Sequence, residues 1–256
     1  MANGDNIMNK KLKAFLLNSG SSGNGLSSGL ISYYKYDTNA NDAVGSNNGT
    51  LHSATIAAGG IINSGLNLAT GGQYVSVVDA ANLSFGNNTV DVPFSISFWI
   101  NPTGVTGSQI LFSKYNGTTD NEYLIQLLGN KVLIELFSQS LLLAYLDVRS
   151  VSGVITLGVW NHIVVTYSGN SAVSGIKVYV NAALSTVDTT NSVGSYVAMN
   201  AGAIDLYICT QSANPGNVGM PGMMDEVGIW RSRELSAANV TALYNSGSGL
   251  SQTLFT

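Results

Sequence analysis

The sequence predicts an all-β fold, a two-sheet antiparallel jelly-roll sandwich with one short C-terminal helix. Composition gives the first indication, because Asp, Glu, Lys and Arg make up 9% of the 256 residues, whereas a typical soluble domain has about 25%. Long exposed helices depend on Glu, Lys and Arg, whereas strands and tight turns do not. The 29 glycines, with Asn and Ser clusters between short apolar runs, give the second indication.

Strand patterns follow one another from residue 30 onwards. The clearest lies at 94–100, where Phe94, Ile96 and Phe98 alternate with serine, so that the apolar side chains share one face. The Leu-Gly-Asn-Lys spacing at 128–131 predicts a hairpin turn. The other predicted strands are 30–36, 74–78, 109–113, 123–128, 131–137, 141–147, 162–167, 176–180, 204–208 and 227–230.

One late segment predicts a helix. Ser236 is suited to be its N-cap, and Val240, Leu243 and Tyr244 are apolar on one side. Asn245 is expected to end it, because asparagine tolerates the left-handed conformation that often closes a helix.

Two parts are predicted, an N-terminal arm with a Gly/Ser linker at 1–28 and the sandwich at 29–256. A chain of this length can bury roughly 70% of its surface as one domain, and the single cysteine, Cys209, excludes an internal disulfide framework. We expect the arm to anchor the protein to a partner by a short amphipathic helix; a frayed terminus is the alternative. The anchoring residues are Ile7, Lys10, Lys11, Leu12, Phe15 and Leu16.

The charge distribution excludes several classes of function. The net charge is −4, and since three lysines and one aspartate give residues 1–28 a charge of +2, the remainder carries −6. Such an acidic body cannot present the basic stripe that nucleic-acid binding requires. The sequence has no apolar run of 18 residues to span a membrane, and its first residues lack the pattern of a secretory signal peptide.

Several motifs occur in the order found in one known family. They are Asp42-Ala-Val-Gly-Ser-Asn-Asn-Gly-Thr-Leu51, Phe94-Ser-Ile-Ser-Phe-Trp-Ile-Asn-Pro102, Trp160-Asn-His-Ile-Val-Val-Thr-Tyr167 and Gly222-Met-Met-Asp-Glu-Val-Gly-Ile-Trp230. Over residues 30–246 the chain thus resembles the laminin-G-like, concanavalin A-like jelly roll in its bacterial and viral form. One departure is Asn181, which ends the motif Lys177-Val-Tyr-Val-Asn181 where the family has glycine. The resemblance implies the sandwich but no single function, since the fold hosts lectins, polysaccharide lyases and hydrolases, adhesion modules and virion parts.

Catalytic patterns are missing from the sequence. For hydrolases of this superfamily the resemblance implies carboxylates on one strand in an E-x-D-x-x-E spacing, which does not occur here. The adjacent acids Asp225 and Glu226 are expected to point to opposite faces of a strand. We therefore expect the protein not to be an enzyme.

Three residues of the motifs are expected to be structural. His162 could act as a general base, but no nucleophile is indicated near it, and we expect a buried imidazole held by hydrogen bonds. Trp99 and Trp160 are expected in the core because both lie in strand interiors of the family motifs. Trp230, at a strand end, is left open.

The resemblance also implies a calcium ion at the rim, for which Asp37, Asp42 and Asp225 are the candidate ligands. Calcium requires six to eight oxygen ligands, and these acids are isolated in the sequence. The alternative is that Asp42 caps a turn and Asp225 accepts buried backbone hydrogen bonds. No other cofactor is expected.

Glycan binding requires aromatic faces beside hydrogen-bonding amides and carboxylates, often on loops. The segment 114–123 supplies this mixture, and the alternative is an ordinary polar hairpin tip. A second candidate loop is 211–221. The candidate ligand-binding residues are Tyr115, Asn116, Asp120, Asn121 and Tyr123.

Together these features predict a non-enzymatic, surface-displayed recognition or decoration module. We expect it to be a structural component of a bacteriophage particle, oligomeric in that assembly, attached through residues 1–28 and able to bind host-surface glycans. The alternative is a free or cell-surface lectin module, with an extracellular location. A polysaccharide-active enzyme ranks third.

Overall fold

The computed structural model describes residues 23–69, 72–138, 144–212 and 218–256. These residues form sixteen strands and one α-helix. The bounds are β1 (Leu30–Tyr34), β2 (Gly49–His52), β3 (Thr55–Ala58), β4 (Ser64–Leu68), β5 (Tyr74–Val77), β6 (Phe94–Pro102), β7 (Ser108–Tyr115), β8 (Asn121–Leu128), β9 (Lys131–Phe137), β10 (Tyr145–Ser150), β11 (Asn161–Tyr167), β12 (Ile176–Val180), β13 (Ala183–Leu184), β14 (Val187–Val193), β15 (Leu206–Ile208), β16 (Gly222–Arg231) and α1 (Ala237–Tyr244).

The strands form two antiparallel sheets, which confirms the predicted all-β sandwich. Sheet A has the order β13-β12-β11-β6-β16-β4-β3, with β1 also paired to β16, and sheet B has the order β14-β10-β9-β8-β7-β15-β5-β2. The core lies between them. It receives Phe94, Ile96, Phe98 and Ile100 from β6, as the alternation predicts.

The hairpin between β8 and β9 turns at Gly129, whose φ of +60° is readily adopted by glycine. The predicted strand 141–147 lies partly outside the described residues, and the observed strand β10 begins at Tyr145. Five strands were not predicted, namely β2, β3, β4, β13 and β14. They are short or polar, so pairing with a neighbour defines them more than their own pattern does.

The predicted helix is confirmed as α1. Ser236 and Asn239 form a capping box at its start, and Asn245 closes it with φ of +46°. Val240 and Leu243 are buried against sheet A. Among the described residues, no helix has the length and apolar character needed to cross a membrane.

Most of the predicted N-terminal arm, including Ile7, Lys10, Lys11, Leu12, Phe15 and Leu16, lies outside the described residues. Within the predicted linker, Leu26 is fully buried and its carbonyl accepts a hydrogen bond from Trp230 Nε1 at 2.8 Å. The Asn24 Nδ2 donates to the carbonyl of Leu254 at 2.9 Å. The described end of this linker, residues 23–28, therefore packs on the sandwich.

Candidate functional site

The outer face of sheet B, the side turned away from the core, carries a concentration of aromatic and charged side chains. Ile125 on β8, Ile134 on β9 and Val148 on β10 point into the core, and side chains alternate along a strand. The residues between them therefore point outward. They are Leu124, Gln126, Leu133, Glu135, Phe137, Tyr145, Asp147 and Arg149.

Three rings form an aromatic row across this face. The ring centroid of Phe137 lies 5.3 Å from that of Tyr115 and 5.9 Å from that of Tyr145. Phe137 is buried, with Ile110 and Leu124 in the same cluster, while both tyrosines are partly exposed. The row therefore presents two phenol rings on a fixed apolar base.

A charged network lies beside the row. The Arg149 Nη2 donates to Asp147 Oδ2 at 2.7 Å and its Nε to Asp147 Oδ1 at 3.2 Å. The Asn191 Nδ2 on β14 donates to the same Oδ2 at 2.9 Å. The Asp147 side chain is 1% exposed and that of Arg149 33%, so a buried carboxylate holds a guanidinium that still reaches solvent.

Glu135 lies directly opposite Asp147 in the pairing of β9 with β10. Gln126 Nε2 donates to its Oε2 at 3.3 Å. Burial, followed by the charge of Asp147, raises the pKa of Glu135 to about 7, against the lowering effect of Arg149. Near neutral pH this carboxyl group can therefore both donate and accept hydrogen bonds.

A second aromatic group lies on the same face near β2. The rings of His52 and Tyr74 stack with centroids 4.3 Å apart, and Tyr207 lies 6.1 Å from Tyr74. His52 Nε2 is 2.8 Å from Ser76 Oγ. All three rings are partly exposed, which gives the face a second stacking surface.

The predicted binding loop divides between this face and the core. Tyr115 belongs to the aromatic row. Tyr123 is fully buried and its hydroxyl donates to the carbonyl of Leu83 at 3.1 Å. In contrast to the prediction, Tyr123 has no surface to offer a ligand, because the alternation of β8 turns its ring into the core.

The side chains of both asparagines in this loop accept hydrogen bonds from backbone N–H groups of the loop. Asn121 Oδ1 accepts from the N–H groups of Asn116 and Gly117 at 3.2 and 2.9 Å. Asn116 Oδ1 accepts from the N–H groups of Thr118 and Asp120 at 2.9 and 3.1 Å. These bonds form a closed polar tip, the alternative that the sequence left open, and Asp120 is partly exposed there. The second candidate loop contains residues 213–217, which lie outside the described residues.

The three aspartates that the resemblance made candidate calcium ligands do not form one site. Asp42 Oδ1 accepts from the N–H groups of Tyr33, Val44 and Gly45, and its Oδ2 from Asn47, so Asp42 caps a turn. Among the described residues no three His, Cys, Asp or Glu side chains are placed to hold a metal ion. Although Asp37 Oδ1 is buried without a hydrogen-bond partner, these residues do not fit the oxygen shell that calcium requires.

The prediction that Asp225 and Glu226 point to opposite faces is wrong. The register of β16 against β6 shifts between Asp225 and Gly228, and Glu226 has φ of +48°. This bulge places both acids on the outer side of sheet A, where Tyr33 Oη donates to Glu226 at 2.5 Å. Asp225 accepts from the N–H of Ile62 at 3.1 Å. Burial raises the pKa of Asp225 to about 8 and that of Glu226 to about 7, and neither is open to a ligand.

The motif residues that were expected in the core differ in how far they are buried. His162 and Trp99 are 1% and 2% exposed, and His162 Nε2 lies 2.8 Å from Ser97 Oγ. Burial lowers the pKa of His162 to about 3, so the ring stays neutral. Trp160 is only partly buried, because it lies just before β11, which begins at Asn161. Trp230 is fully buried.

Sequence reasoning missed Glu135, Asp147 and Arg149. The alternation of 131–137 is a signal for Glu135, since it falls between two core-facing positions. The partner strand was predicted at 141–147, which makes Asp147 a strand end. In the structure β10 extends to Ser150, so Asp147 and Arg149 both lie within the strand.

Several solved structures share the fold of this chain. Domain 4 of AbnA, a GH43 extracellular arabinanase from Geobacillus stearothermophilus solved in complex with arabinotriose, is 21% identical with a TM-score of 0.60 over 83% of this chain and 96% of that chain. The binding domain of botulinum neurotoxin DC, solved in complex with rat synaptotagmin II, is 16% identical with a TM-score of 0.62 over 86% of this chain and 52% of that chain. The binding domain of Paraclostridial Mosquitocidal Protein 1 is 15% identical, with a TM-score of 0.62 over 87% of this chain and 53% of that chain.

The chain thus spans about half the length of these two toxin domains. The similarity to all three structures shows that they share the fold of this chain. Comparison with curated proteins gives no match. A family model, described as concanavalin A-like lectin/glucanases superfamily, matches residues 69–241. This match covers more than half of the chain and includes most strands of both sheets. The chain therefore belongs to the concanavalin A-like lectin/glucanases superfamily.

Proposed function

We propose that the protein is a non-enzymatic recognition module that binds a glycan on the outer face of sheet B. Sugar rings present C–H faces that stack on aromatic side chains, and hydroxyl groups that pair with carboxylates, amides and guanidinium groups. The aromatic row and the network around Asp147 supply both on neighbouring strands. This juxtaposition is the observation that carries the proposal.

The neighbours support this class of ligand without identifying one. The arabinanase domain was solved with arabinotriose, and a botulinum binding domain was solved with synaptotagmin II. A glycan is favoured here because the face combines partly exposed tyrosine rings with a polar network, whereas the core of a stable protein interface is depleted of charged residues.

The absence of catalysis is part of the proposal. A retaining glycosidase needs two accessible carboxyl groups about 5 Å apart. Glu135 and Asp147 face each other across β9 and β10, and this pairing favours hydrolysis as the second candidate. Against it, the Asp147 carboxylate is buried and hydrogen-bonded to Arg149 and Asn191. Release of reducing ends from a polysaccharide panel, lost in Glu135→Gln, would establish the enzyme instead.

The direct test is a glycan array probed with the full chain and two variants. Tyr145→Ala removes a partly exposed ring of the aromatic row, and we expect at least a tenfold loss of affinity for the bound class. Tyr244→Ala is the matched control, because Tyr244 is also partly exposed and stacks on Trp99, but lies over sheet A. Equal losses in both variants, or no glycan bound at all, would contradict the proposal.

We also propose that the module is displayed on a bacteriophage particle through its N-terminal arm. The composition of the arm, with three lysines among apolar residues, supports this role. The truncation should remove residues 1–22 and keep Leu26, whose side chain is fully buried. We expect a folded body that no longer joins the particle. Incorporation of the truncated chain would remove the arm as the anchor.

A further inference from the structure

Strand β14 is an unusually open edge of sheet B. It pairs with β10 alone among the described strands, and six of its seven residues are exposed. The edge strands β13, β2 and β3 have only two, four and four residues. The N–H and C=O groups of a long exposed edge strand are a template for pairing with another strand.

The protection of β14 against such pairing is limited to a bulge at Asp188, where its register against β10 shifts. The strand contains no proline and no lysine, and four of its seven residues are Val or Thr. Its one charge, Asp188, is held by Lys131 at 2.5 Å. Val187 and Val193 at the two ends are 41% and 36% exposed. The strand thus offers backbone pairing with apolar contacts at both ends.

The residues of β14 are complementary to those of a second copy. If two such strands run antiparallel with Thr190 opposite Thr190, no like charges meet, and each facing pair is apolar or able to hydrogen-bond. Closed dimers require this self-complementarity about a two-fold axis. The facing pairs are Val187 with Val193, Asp188 with Ser192, and Thr189 with Asn191.

We propose that two copies of the chain associate by antiparallel pairing of β14 with β14, centred on Thr190. The two copies of sheet B become one continuous sheet. Asn191, which contacts Asp147, then lies beside the two-fold axis. The two β10 strands are separated by three strand spacings, about 14 Å, so both candidate sites lie on one surface. That last consequence rests on the proposed glycan site, whereas the pairing does not.

The first test measures the mass of the full chain in solution over a range of concentrations, by light scattering after size exclusion. We expect a dimer, twice 26.7 kDa, that becomes a monomer in Thr190→Lys because two ammonium groups meet at the axis. Mixing Thr190→Lys with Thr190→Asp should restore the dimer. Ala183→Lys, on the exposed edge strand β13, is the matched control and should remain dimeric.

The second test reports the register. Thr190→Cys should form an intermolecular disulfide with itself, since directly opposite residues lie within disulfide distance. Asp188→Cys should cross-link only when mixed with Ser192→Cys. The native Cys209 is fully buried and does not compete. A wild-type monomer at every concentration, or a dimer that Thr190→Lys leaves intact, would overturn the proposal. Glycan binding by the Thr190→Lys monomer tests the site separately.

Discussion

The outer faces of the two sheets are built differently although both follow the same alternation of side chains. On sheet A the chain folds back over the face. Leu26, Leu243 and Phe255 pack around Trp230, which is fully buried, and the Trp230 and Phe255 rings lie 6.2 Å apart. On sheet B the outward face has a smaller buried cluster of Ile110, Leu124 and Phe137. Beside that cluster Arg149 is hydrogen-bonded to the buried Asp147, and Glu135 lies opposite Asp147 on the next strand.

The difference shows that the same alternation of side chains can lead either to a covered face or to a face with polar groups at its surface. An apolar outward residue favours a covering segment, because burying such a side chain contributes about 1.5–3 kcal/mol. Outward carboxylates and amides stay favourable only when hydrogen-bonded or in contact with water. The outer face of sheet A therefore acts as a second core, and that of sheet B remains suited to a polar ligand.

The largest effect should come from the covered face. Trp230→Ala removes the centre of the second core and the hydrogen bond to Leu26, and we expect a loss of about 3–5 kcal/mol in the free energy of unfolding. Denaturant titration followed by circular dichroism measures it. Tyr145→Ala, which removes a partly exposed ring of the aromatic row on sheet B, should lose less than about 1.5 kcal/mol. Similar losses would show that the two faces have the same structural role.

The pH dependence of stability should differ between the faces. The pKa of Glu135 is about 7 in the folded state against an ordinary value of 4.5. A raised pKa means that the folded state retains the proton more firmly than the unfolded state. The part of the free energy of unfolding that depends on protonated Glu135 is therefore fully present below pH 4.5 and is lost as pH rises to 7. The advantage of Glu135→Gln over the wild type should grow across that window and then level off.

Asp225→Asn provides the comparison on the covered face. Burial raises the pKa of Asp225 to about 8 from 3.8. The stability linked to protonated Asp225 should therefore also fall as pH rises, over the range from pH 3.8 to 8. Unfolding curves taken at half-unit steps of pH separate the two windows. A difference curve for Glu135→Gln that is flat between pH 4.5 and 7 would show that Glu135 is ionised normally.

A smaller loss is expected within the charged network itself. Arg149→Ala leaves the buried Asp147 without its guanidinium partner. Because Arg149 is partly exposed, we expect a loss of about 1–3 kcal/mol rather than that of a fully buried pair. Asp147→Asn in the same chain should recover part of it, since it removes the unpaired charge. If the double variant is no more stable than Arg149→Ala, the charge of Asp147 is not the cause.

The features of the two sheets that could be predicted from the sequence are those that depend on residues close together in the chain. The alternation of β6 predicts its four core residues, and the caps of α1 predict both ends of the helix, because these signals lie within a few residues. Strand β14 carries no such signal. Its Val-Asp-Thr-Thr-Asn-Ser-Val sequence becomes a strand through pairing with β10, a contact across more than thirty positions of the chain.

The candidate site could not be predicted for the same reason. Glu135 and Asp147 meet only because β9 and β10 pair in one register, and a shift by one residue would turn Asp147 toward the core. The bulge at Glu226 has a similar origin. Its positive φ occurs at a residue other than glycine, whose carboxylate accepts a hydrogen bond from Tyr33 Oη, so single-strand alternation gives the wrong face.

The smallest effect should come from the first turn of α1, where the cover of sheet A begins. Ser236 Oγ accepts from the Asn239 N–H at 3.2 Å, and Ser236→Ala should cost about 1 kcal/mol in the free energy of unfolding. Asn116→Ala is the control, because it removes local bonds to the Thr118 and Asp120 N–H groups at 2.9 and 3.1 Å at the rim of sheet B. If α1 is the cover that keeps Trp230 buried, Ser236→Ala should speed hydrogen exchange at the Trp230 indole N–H and Asn116→Ala should leave it unchanged. Equal exchange rates in the two variants would show that the cover holds without its helix cap.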